Sequence, residues 1–524
     1  MNGAESLVHT LIDSGIEVCF SNPGTSEMHF VAALDKVAGM KCVLGLFEGV
    51  VTGAADGYYR MKDKPAATLL HLGPGLGNGV ANLHNARKAM RGIVNIIGDH
   101  ATYHVEYDAP LTADIEGIAK PVSNWVKTST SATEVASDGA CAVAQANTYP
   151  GRVASLILPA NTAWENSNGP APKQTPVPPP EVPASRIEAV AGIIKKGEPT
   201  AIVITGHALR ARTLETASRI AAATGAHIYG QTSNARLERG AGRVPLKTVP
   251  YPVDAAVELL KPYKHIISVS AKAPVAFFAY PDKPSGLYAP QSELHTLAHA
   301  NEDCVAALEQ LAEILNADKS APLIETGDVA AIPSNGSLTA QNIAATVAHL
   351  LPENAIVIDE SITAAPAFFT ETGKAAPHDW LQICGGSIGD GFPLATGAAV
   401  ACPDRKVVAL QADGSGMYTL QALWTQAREN LDITTILLSN RAYAILKHEL
   451  KNVGAADTTG HSTDNGAGSI AHDMMELNRP DLNWRALAKG MGVEAGLATD
   501  VTSLVAEINK GLRSEGPYLI EAVL

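Results

Sequence analysis

The sequence predicts an α/β fold of three consecutive doubly wound parallel-sheet domains. Short β-branched or small apolar runs, such as Ala66–Leu70, His265–Val269 and Val407–Ala412, read as buried strands. Between such runs lie windows with helical spacing, as over 418–430, where Leu420, Leu423, Trp424 and Ala427 share one face. Strand–helix–strand alternation implies parallel crossovers. The 524 residues exceed what a single core supports and, at about 150 residues per domain, suggest three domains.

Composition narrows the function classes. With 39 basic and 53 acidic residues the formal net charge is −14, which disfavours nucleic acid and anionic membrane as partners. Six cysteines, at 19, 42, 141, 304, 384 and 402, include no Cys-x-x-Cys pair, so neither a zinc nor a disulfide framework is suggested and a reducing compartment fits. Met1 to Glu5 shows no basic n-region or apolar h-region, and no apolar run reaches about 18 residues. A cytoplasmic protein is expected.

Residues 4–14 form an amphipathic helix with Leu7, Leu11 and Ile12 inward, ended by Gly15. Val18-Cys19-Phe20 opens a strand, and Asn22-Pro23-Gly24-Thr25-Ser26-Glu27 is a turn and helix cap. A strand from Lys41 leads to Glu48 and a small-residue helix over 50–60. By composition Glu48 reads first as a helix N-terminal acid; if buried, it needs a partner or carries a raised pKa. Strand Ala66–Leu70 ends at His71-Leu72-Gly73-Pro74-Gly75-Leu76-Gly77-Asn78-Gly79, a glycine-rich loop with no acid about 20 residues on, and so a poor dinucleotide fingerprint. His71, at a strand end, reads first as structural. A strand over 93–97 leads into a loop with His100 and His104, and a strand over 153–158 closes the first domain, 1–167.

Residues 168–185, with Pro-Val-Pro-Pro-Pro at 176–180, read as an extended linker. The central domain, 186–326, continues the alternation with helices over 187–196 and 214–224 and strands over 200–205, 226–229 and His265–Val269. Gly206-His207-Ala208 lacks a G-x-G-x-x-G pattern, so no nicotinamide site is assigned, nor is FAD.

A polar stretch over 328–337 leads to the third domain, 338–524, which opens with a helix over 339–351 and a strand over 355–359, with 360–363 capping the next segment. Val407–Ala412 ends at Asp413-Gly414-Ser415, and a strand over 433–438 ends at Ser439-Asn440-Arg441-Ala442-Tyr443. A parallel crossover sets these two ends side by side. Asp413 and Asn440 then offer oxygen to a hard cation such as Mg²⁺, and Gly414 and Ser415 lead to a helix N-terminus that favours phosphate. A lone Asp-Gly-Ser is mostly a plain turn; the second strand end makes a metal-bridged diphosphate site the better reading. Residues 453–470 have the Gly, Thr, Ser and Asp content of a mobile loop, expected to close over the site and exclude water. A helix over 501–512 and a strand over 518–522 complete the chain.

At these motifs the sequence resembles the thiamine-diphosphate-dependent 2-oxo acid decarboxylases and acetolactate synthases, and benzoylformate decarboxylase-like members most. The family's Gly-Asp-Gly-Ser and Asn-Asn are present as Ala412-Asp413-Gly414-Ser415 and Ser439-Asn440, with the leading Gly and the first Asn replaced. Glu48, with Ala55-Asp56-Gly57-Tyr58 after it, matches the family's activating glutamate and its helix, and Gly385 to Pro393 match its Gly-x-Met/Leu-Gly loop. The resemblance implies pyrimidine-binding, central and diphosphate-binding domains in that order. It also implies thiamine diphosphate with Mg²⁺ held by Asp413, Asn440 and the Ala442 carbonyl. Thr363, Gly414, Ser415 and Tyr443 would contact the cofactor, Ile388 would bend it, the Gly386 carbonyl would receive its amino group, and Glu48 would hydrogen-bond its pyrimidine. Thr25 takes the place of a serine hydroxyl that faces substrate, with Ser26 beside it, and His71 that of an active-site histidine. Thr25 and His71 join Glu48 as catalytic candidates, and Ile445 is expected at the substrate pocket together with His448. Family knowledge further implies a homodimer or homotetramer with active sites between subunits.

The implied reaction is decarboxylation of a medium-sized, partly apolar 2-oxo acid, with carboligation to a second carbonyl compound open to the same site. The alternatives are an acetolactate synthase-type carboligase, a 2-hydroxyacyl-CoA lyase, a flavin-dependent oxidoreductase and a non-catalytic thiamine-diphosphate-binding scaffold. Pro110 and Leu111 stand where acetolactate synthases have Phe and Gln, which counts against the first. The absence of an evident nucleotide-binding tail counts against the second, and the intact Glu48 against the scaffold. The apolar 273–279 segment stands where benzoylformate decarboxylase carries a second histidine.

Overall fold

A computed structural model describes residues 1–453 and 470–524 and shows three mostly parallel sheets in chain order, each flanked by helices. The first contains β1 (Val18–Asn22), β2 (Lys41–Leu44), β3 (Ala66–Leu70), β4 (Ile93–Asp99), β5 (Trp125–Thr128) and β6 (Val153–Pro159) in the order β2-β1-β3-β4-β6-β5. β3 is buried along its whole length, as a parallel strand covered on both faces must be. The second sheet, ordered β10-β8-β7-β11-β12, contains β7 (Thr200–Ile204), β8 (His227–Gly230), β10 (Lys247–Thr248), β11 (His265–Val269) and β12 (Glu293–Ala298).

The third sheet has β13 (Ile356–Glu360), β14 (His378–Gln382), β15 (Val407–Ala412), β16 (Ile433–Ser439), β17 (Glu494–Ala498) and β18 (Tyr518–Val523), ordered β17-β18-β16-β15-β13-β14. Its edge is completed by β9 (Leu237–Arg239), a strand from the middle of the chain that pairs antiparallel with β14. The third sheet is therefore not continuous in sequence, which no local pattern announces. Among the described residues no helix is long and apolar enough to cross a membrane.

In the first sheet the chain reverses its direction of growth between β1 and β3, and in the third between β13 and β15. Crevices at such switch points, beyond the carboxyl ends of the strands, are where open α/β sheets bind ligands. The segments there begin with Pro23 and His71 in one sheet, and with Ser361 and Asp413 in the other.

The first and third sheets share a hydrophobic core, in which Phe20, Ala54 and Tyr58 meet Ile358, Leu394 and Ala398. Helix Glu48–Lys62 crosses helix Gly391–Ala401 closely because two crossing positions are glycine. A Cβ on Gly57 would stand 2.3 Å from the Leu394 carbonyl oxygen, and one on Gly397 would stand 1.9 Å from that of Ala54. Asp56 accepts from Arg60 Nε at 2.9 Å and from Nη2 at 2.6 Å, with both side chains fully buried. The Ala-Asp-Gly-Tyr motif is thus a packing device, in which Gly57 allows the crossing and Asp56 neutralises a buried Arg60.

Some elements differ from expectation. The glycine-rich segment after His71 is not a loop: helix Leu72–Ala89 starts immediately and contains it. Two of its glycines face helix Glu48–Lys62: a Cβ on Gly75 would lie 3.1 Å from Glu48 Oε1, and one on Gly79 would lie 2.9 Å from Thr52 Cγ2. The helix expected over 418–430 contracts to Ala422–Arg428. Asp413 opens only a single helical turn, Asp413–Gly416. Of the expected closing loop, 454–469 lie outside the described residues.

Candidate active site

At the first switch point, Glu48 opens helix Glu48–Lys62 and is 6% exposed. Asn78 Nδ2, from the neighbouring helix Leu72–Ala89, donates to Glu48 Oε2 at 2.9 Å. Oε1 carries no hydrogen bond among the described residues, which leaves one oxygen of a nearly buried carboxyl for a ligand.

His71 caps helix Leu72–Ala89, and its Nδ1 lies 2.8 Å from Glu27 Oε2. Glu27 is buried and also accepts from Ser26 Oγ and, at 2.8 Å, from the Gly24 amide. An ionised carboxylate only accepts, so the Nδ1 proton is donated to Glu27, and Nε2 is the nitrogen left to exchange a proton. Ser26 Oγ stands 3.4 Å from His71 Nδ1, while Thr25 is exposed. Glu27 and Asn78 do not stand out in the sequence: Glu27 looks like a cap residue, which it also is, and Asn78 sits in a stretch that reads as a loop.

At the third sheet's switch point Asp413 is 2% exposed. Its Oδ1 accepts from the Gly414 amide at 2.8 Å and its Oδ2 from the Arg441 amide at 2.7 Å. The crossover therefore joins the ends of β15 and β16 as the sequence predicts. Burial raises the Asp413 carboxyl above its ordinary value against these amides. Asn440 Oδ1 accepts from the Ala442 amide at 3.0 Å. Among the described residues no cationic side chain pairs with Asp413. A buried carboxylate with a side-chain amide oxygen beside it is a donor set that fits a hard cation. Ser415 is buried and hydrogen-bonded to Gln411 and the Ala412 carbonyl, and the Tyr443 ring covers Gly414, where a Cβ would stand 2.5 Å from Cε1. Thr363 is exposed just beyond β13, and Ile445 is half-buried at the start of helix Ala444–Asn452.

The glycine loop carrying Gly386 and Ile388 is held from below. Glu360, 1% exposed, accepts from the amides of Gly389 at 2.7 Å, Asp390 at 3.1 Å and Gly391 at 2.8 Å, and from Gln411 Nε2 at 2.8 Å. Glu360 therefore does not cap the segment after β13, as expected, but fixes the loop. Asn85, from the first region, donates to the Ser387 carbonyl at 2.7 Å and accepts from its amide at 3.1 Å. Gly386 has φ +79°, and a Cβ there would meet Phe277 Cζ at 2.5 Å, so the apolar 273–279 segment packs on this loop.

Three of the left-handed non-glycine residues lie at the same places. Leu72, Ile362 and Arg441 adopt φ of +46°, +52° and +58°, each two residues beyond the end of a strand, β3, β13 or β16. Bulky residues rarely adopt such angles outside functional sites.

Among the described residues no hydrogen bond or ion pair links Glu48, Glu27 or His71 directly to Asp413 or Asn440.

Comparison with known proteins agrees with this division. Residues 1–120 match the thiamine pyrophosphate enzyme N-terminal TPP binding domain, and residues 367–522 match the C-terminal TPP binding domain. The chain is 45% identical over its whole length, and over 99% of the relative, to a Mycobacterium tuberculosis protein named "Putative acetolactate synthase large subunit IlvX". It is 25% identical to the benzoylformate decarboxylase of Pseudomonas aeruginosa, over 97% of this chain and 96% of that one. The fold matches the thiamine diphosphate-dependent 4-hydroxybenzoylformate decarboxylase of Rhodococcus jostii with a TM-score of 0.85 at 22% identity, over 100% of this chain and 99% of the other. The chain belongs to the thiamine pyrophosphate enzyme family, and it is a thiamine-diphosphate-dependent enzyme with both decarboxylase and acetolactate synthase relatives.

Proposed function

We propose that this enzyme decarboxylates a 2-oxo acid with thiamine diphosphate and Mg²⁺. The observation that carries this reading is the placing of Glu48 and the Glu27–His71 pair at one switch point. A carboxyl with one free oxygen and a histidine with one free nitrogen are the two proton-handling groups that such a reaction needs.

When bound, thiamine diphosphate supplies the electron sink for loss of CO₂. Asp413, Asn440 and the Ala442 carbonyl would hold Mg²⁺, and Thr363, Gly414, Ser415 and Tyr443 would hold the diphosphate. Glu48 Oε1 would hydrogen-bond the pyrimidine, Ile388 would brace the cofactor from the glycine loop, and the Gly386 carbonyl would receive the pyrimidine's amino group. His71 moves a proton on Nε2, with Glu27 fixing the ring. Ser26, Thr25 and Ile445 border the substrate, and Phe277 closes the wall with an apolar face.

From the family resemblance we infer a homodimer or homotetramer in which Glu48 of one subunit serves Asp413 of another. Six free cysteines fit a reducing, cytoplasmic setting.

A second reading, carboligation of the acetolactate synthase type, is supported by the 45% identical relative. Release of CO₂ from pyruvate, branched 2-oxo acids and benzoylformate, with Mg²⁺ and thiamine diphosphate and with products identified, separates the two. Aldehyde supports decarboxylation and a hydroxyketone or acetolactate supports carboligation. No release despite cofactor binding would overturn both.

A further inference from the structure

The central sheet carries a cluster that the thiamine chemistry does not use. It lies at the amino ends of the strands, opposite the edge where α/β sheets bind their ligands. His265 opens β11, Glu293 opens β12 directly across the parallel register, and His295 comes two residues later on the same face. His265 Nδ1 lies 3.1 Å from His295 Nε2. Glu293 Oε2 stands 3.6 Å from the first nitrogen and 3.9 Å from the second. Two nitrogens bound to one tetrahedral Zn²⁺ at ~2.05 Å stand about 3.3 Å apart, so these side chains are nearly at the spacing of a coordinated set.

The tautomer is also set for a metal. His265 Nε2 lies 2.9 Å from Glu198 Oε2, and Lys264 Nζ holds the other oxygen of that carboxylate at 2.6 Å. Glu198 accepts, so the Nε2 proton of His265 is engaged and the Nδ1 lone pair points toward His295 and Glu293. A histidine whose second nitrogen donates to a carboxylate is the usual outer-sphere arrangement of a metal ligand. The positive charges of Lys196 and Lys264 are opposed by Glu198 and Glu293. His265 is fully buried, whereas the side chains of His295 and Glu293 are 20% and 54% exposed, so a fourth position opens to water.

We propose that His265, His295 and Glu293 bind one divalent transition-metal ion of the Zn²⁺ class, with Glu198 orienting His265. β12 is the edge strand of its sheet, and the ion would tie it to β11. The arrangement is independent of the catalytic reading.

The test uses the full chain stripped with chelator and titrated calorimetrically with Zn²⁺ in excess Mg²⁺. One Zn²⁺ per chain is expected to bind, to raise Tm, and to be replaceable by Co²⁺ with the visible absorption of a four-coordinate site. His295→Ala should abolish all three, and Glu198→Gln should weaken binding about 10–100-fold. Both substituted side chains reach solvent, so folding is expected to survive, and an unchanged circular dichroism spectrum confirms it. Absence of saturable uptake by the wild type would overturn the proposal, as would uptake unaffected by His295→Ala. Either result would leave the pair as an ordinary His–His hydrogen bond.

Discussion

On the proposed reading the first and third sheets offer their switch points to one cofactor, and they satisfy their polar groups with different balances of partners. In the first, side chains predominate: Glu48 is met by Asn78, and Glu27 by Ser26 and His71 with one backbone amide, that of Gly24, beside them. In the third, backbone amides predominate: Asp413 is met by Gly414 and Arg441, and Glu360 by three consecutive amides of the glycine loop, with the Gln411 side chain as one further donor. The histidines repeat the contrast. His71 pairs with a carboxylate, whereas His378, on β14, has Nδ1 2.7 Å from the Ala376 carbonyl oxygen. Side-chain partners leave protons free to move, while fixed backbone dipoles hold a charge in place. On the proposed reading the first region handles protons and the third holds the cation and diphosphate.

The largest effect that would sharpen this contrast is expected from Glu48→Gln. It should lower kcat about 10²–10⁴-fold, the range of general acid–base catalysis, while thiamine diphosphate still binds as judged by fluorescence titration. Asp413→Asn should do the reverse, weakening Mg²⁺-dependent cofactor binding about 10–100-fold, as expected for a charge-assisted contact of ~1.5–3 kcal/mol. If both variants lose binding equally, the division of labour fails.

Glu27→Gln should reduce kcat about tenfold with KM little changed and alter the pH profile, since His71 keeps its place but loses the anionic acceptor that holds its Nδ1 proton. A KM effect alone would make Glu27 merely structural.

An effect on stability rather than turnover concerns His378, which is buried beside Arg239 and pushed down to about 3. The unfolded chain takes up this proton near the ordinary value of about 6.5. Stability is therefore complete above that pH and falls as pH drops toward 3, by about 2 kcal/mol between pH 7 and pH 5. His378→Asn should flatten that part of the pH dependence of the urea midpoint. An unchanged slope would remove His378 from the account.

Much of this is legible in the sequence because it is local. The alternation of buried runs with amphipathic windows predicts most strands to within a residue or two, and the parallel crossover places Asp413 next to the end of β16. Strands β5, β10, β12 and β14 are not picked out in the sequence, and the other features that escape it are non-local. Glu360 serves amides about 30 residues away, Glu27 meets a histidine 44 residues on, and β9 crosses from the middle of the chain to the third sheet. The left-handed backbone at Leu72, Ile362 and Arg441 is equally hidden, since none is a residue type that favours it. The glycines after His71 mislead because turn chemistry and close helix packing require the same residue.

The most direct test of the central claim, that the two regions form one site across two chains, is subunit complementation. Glu48→Gln and Asp413→Ala variants, each nearly inactive, are mixed under conditions that exchange subunits, and CO₂ release is measured. Random pairing makes half of the dimers mixed, each with one intact site, so about a quarter of wild-type activity should return. Activity remaining at the level of the single variants, with exchange demonstrated by differently tagged chains, would contradict the account.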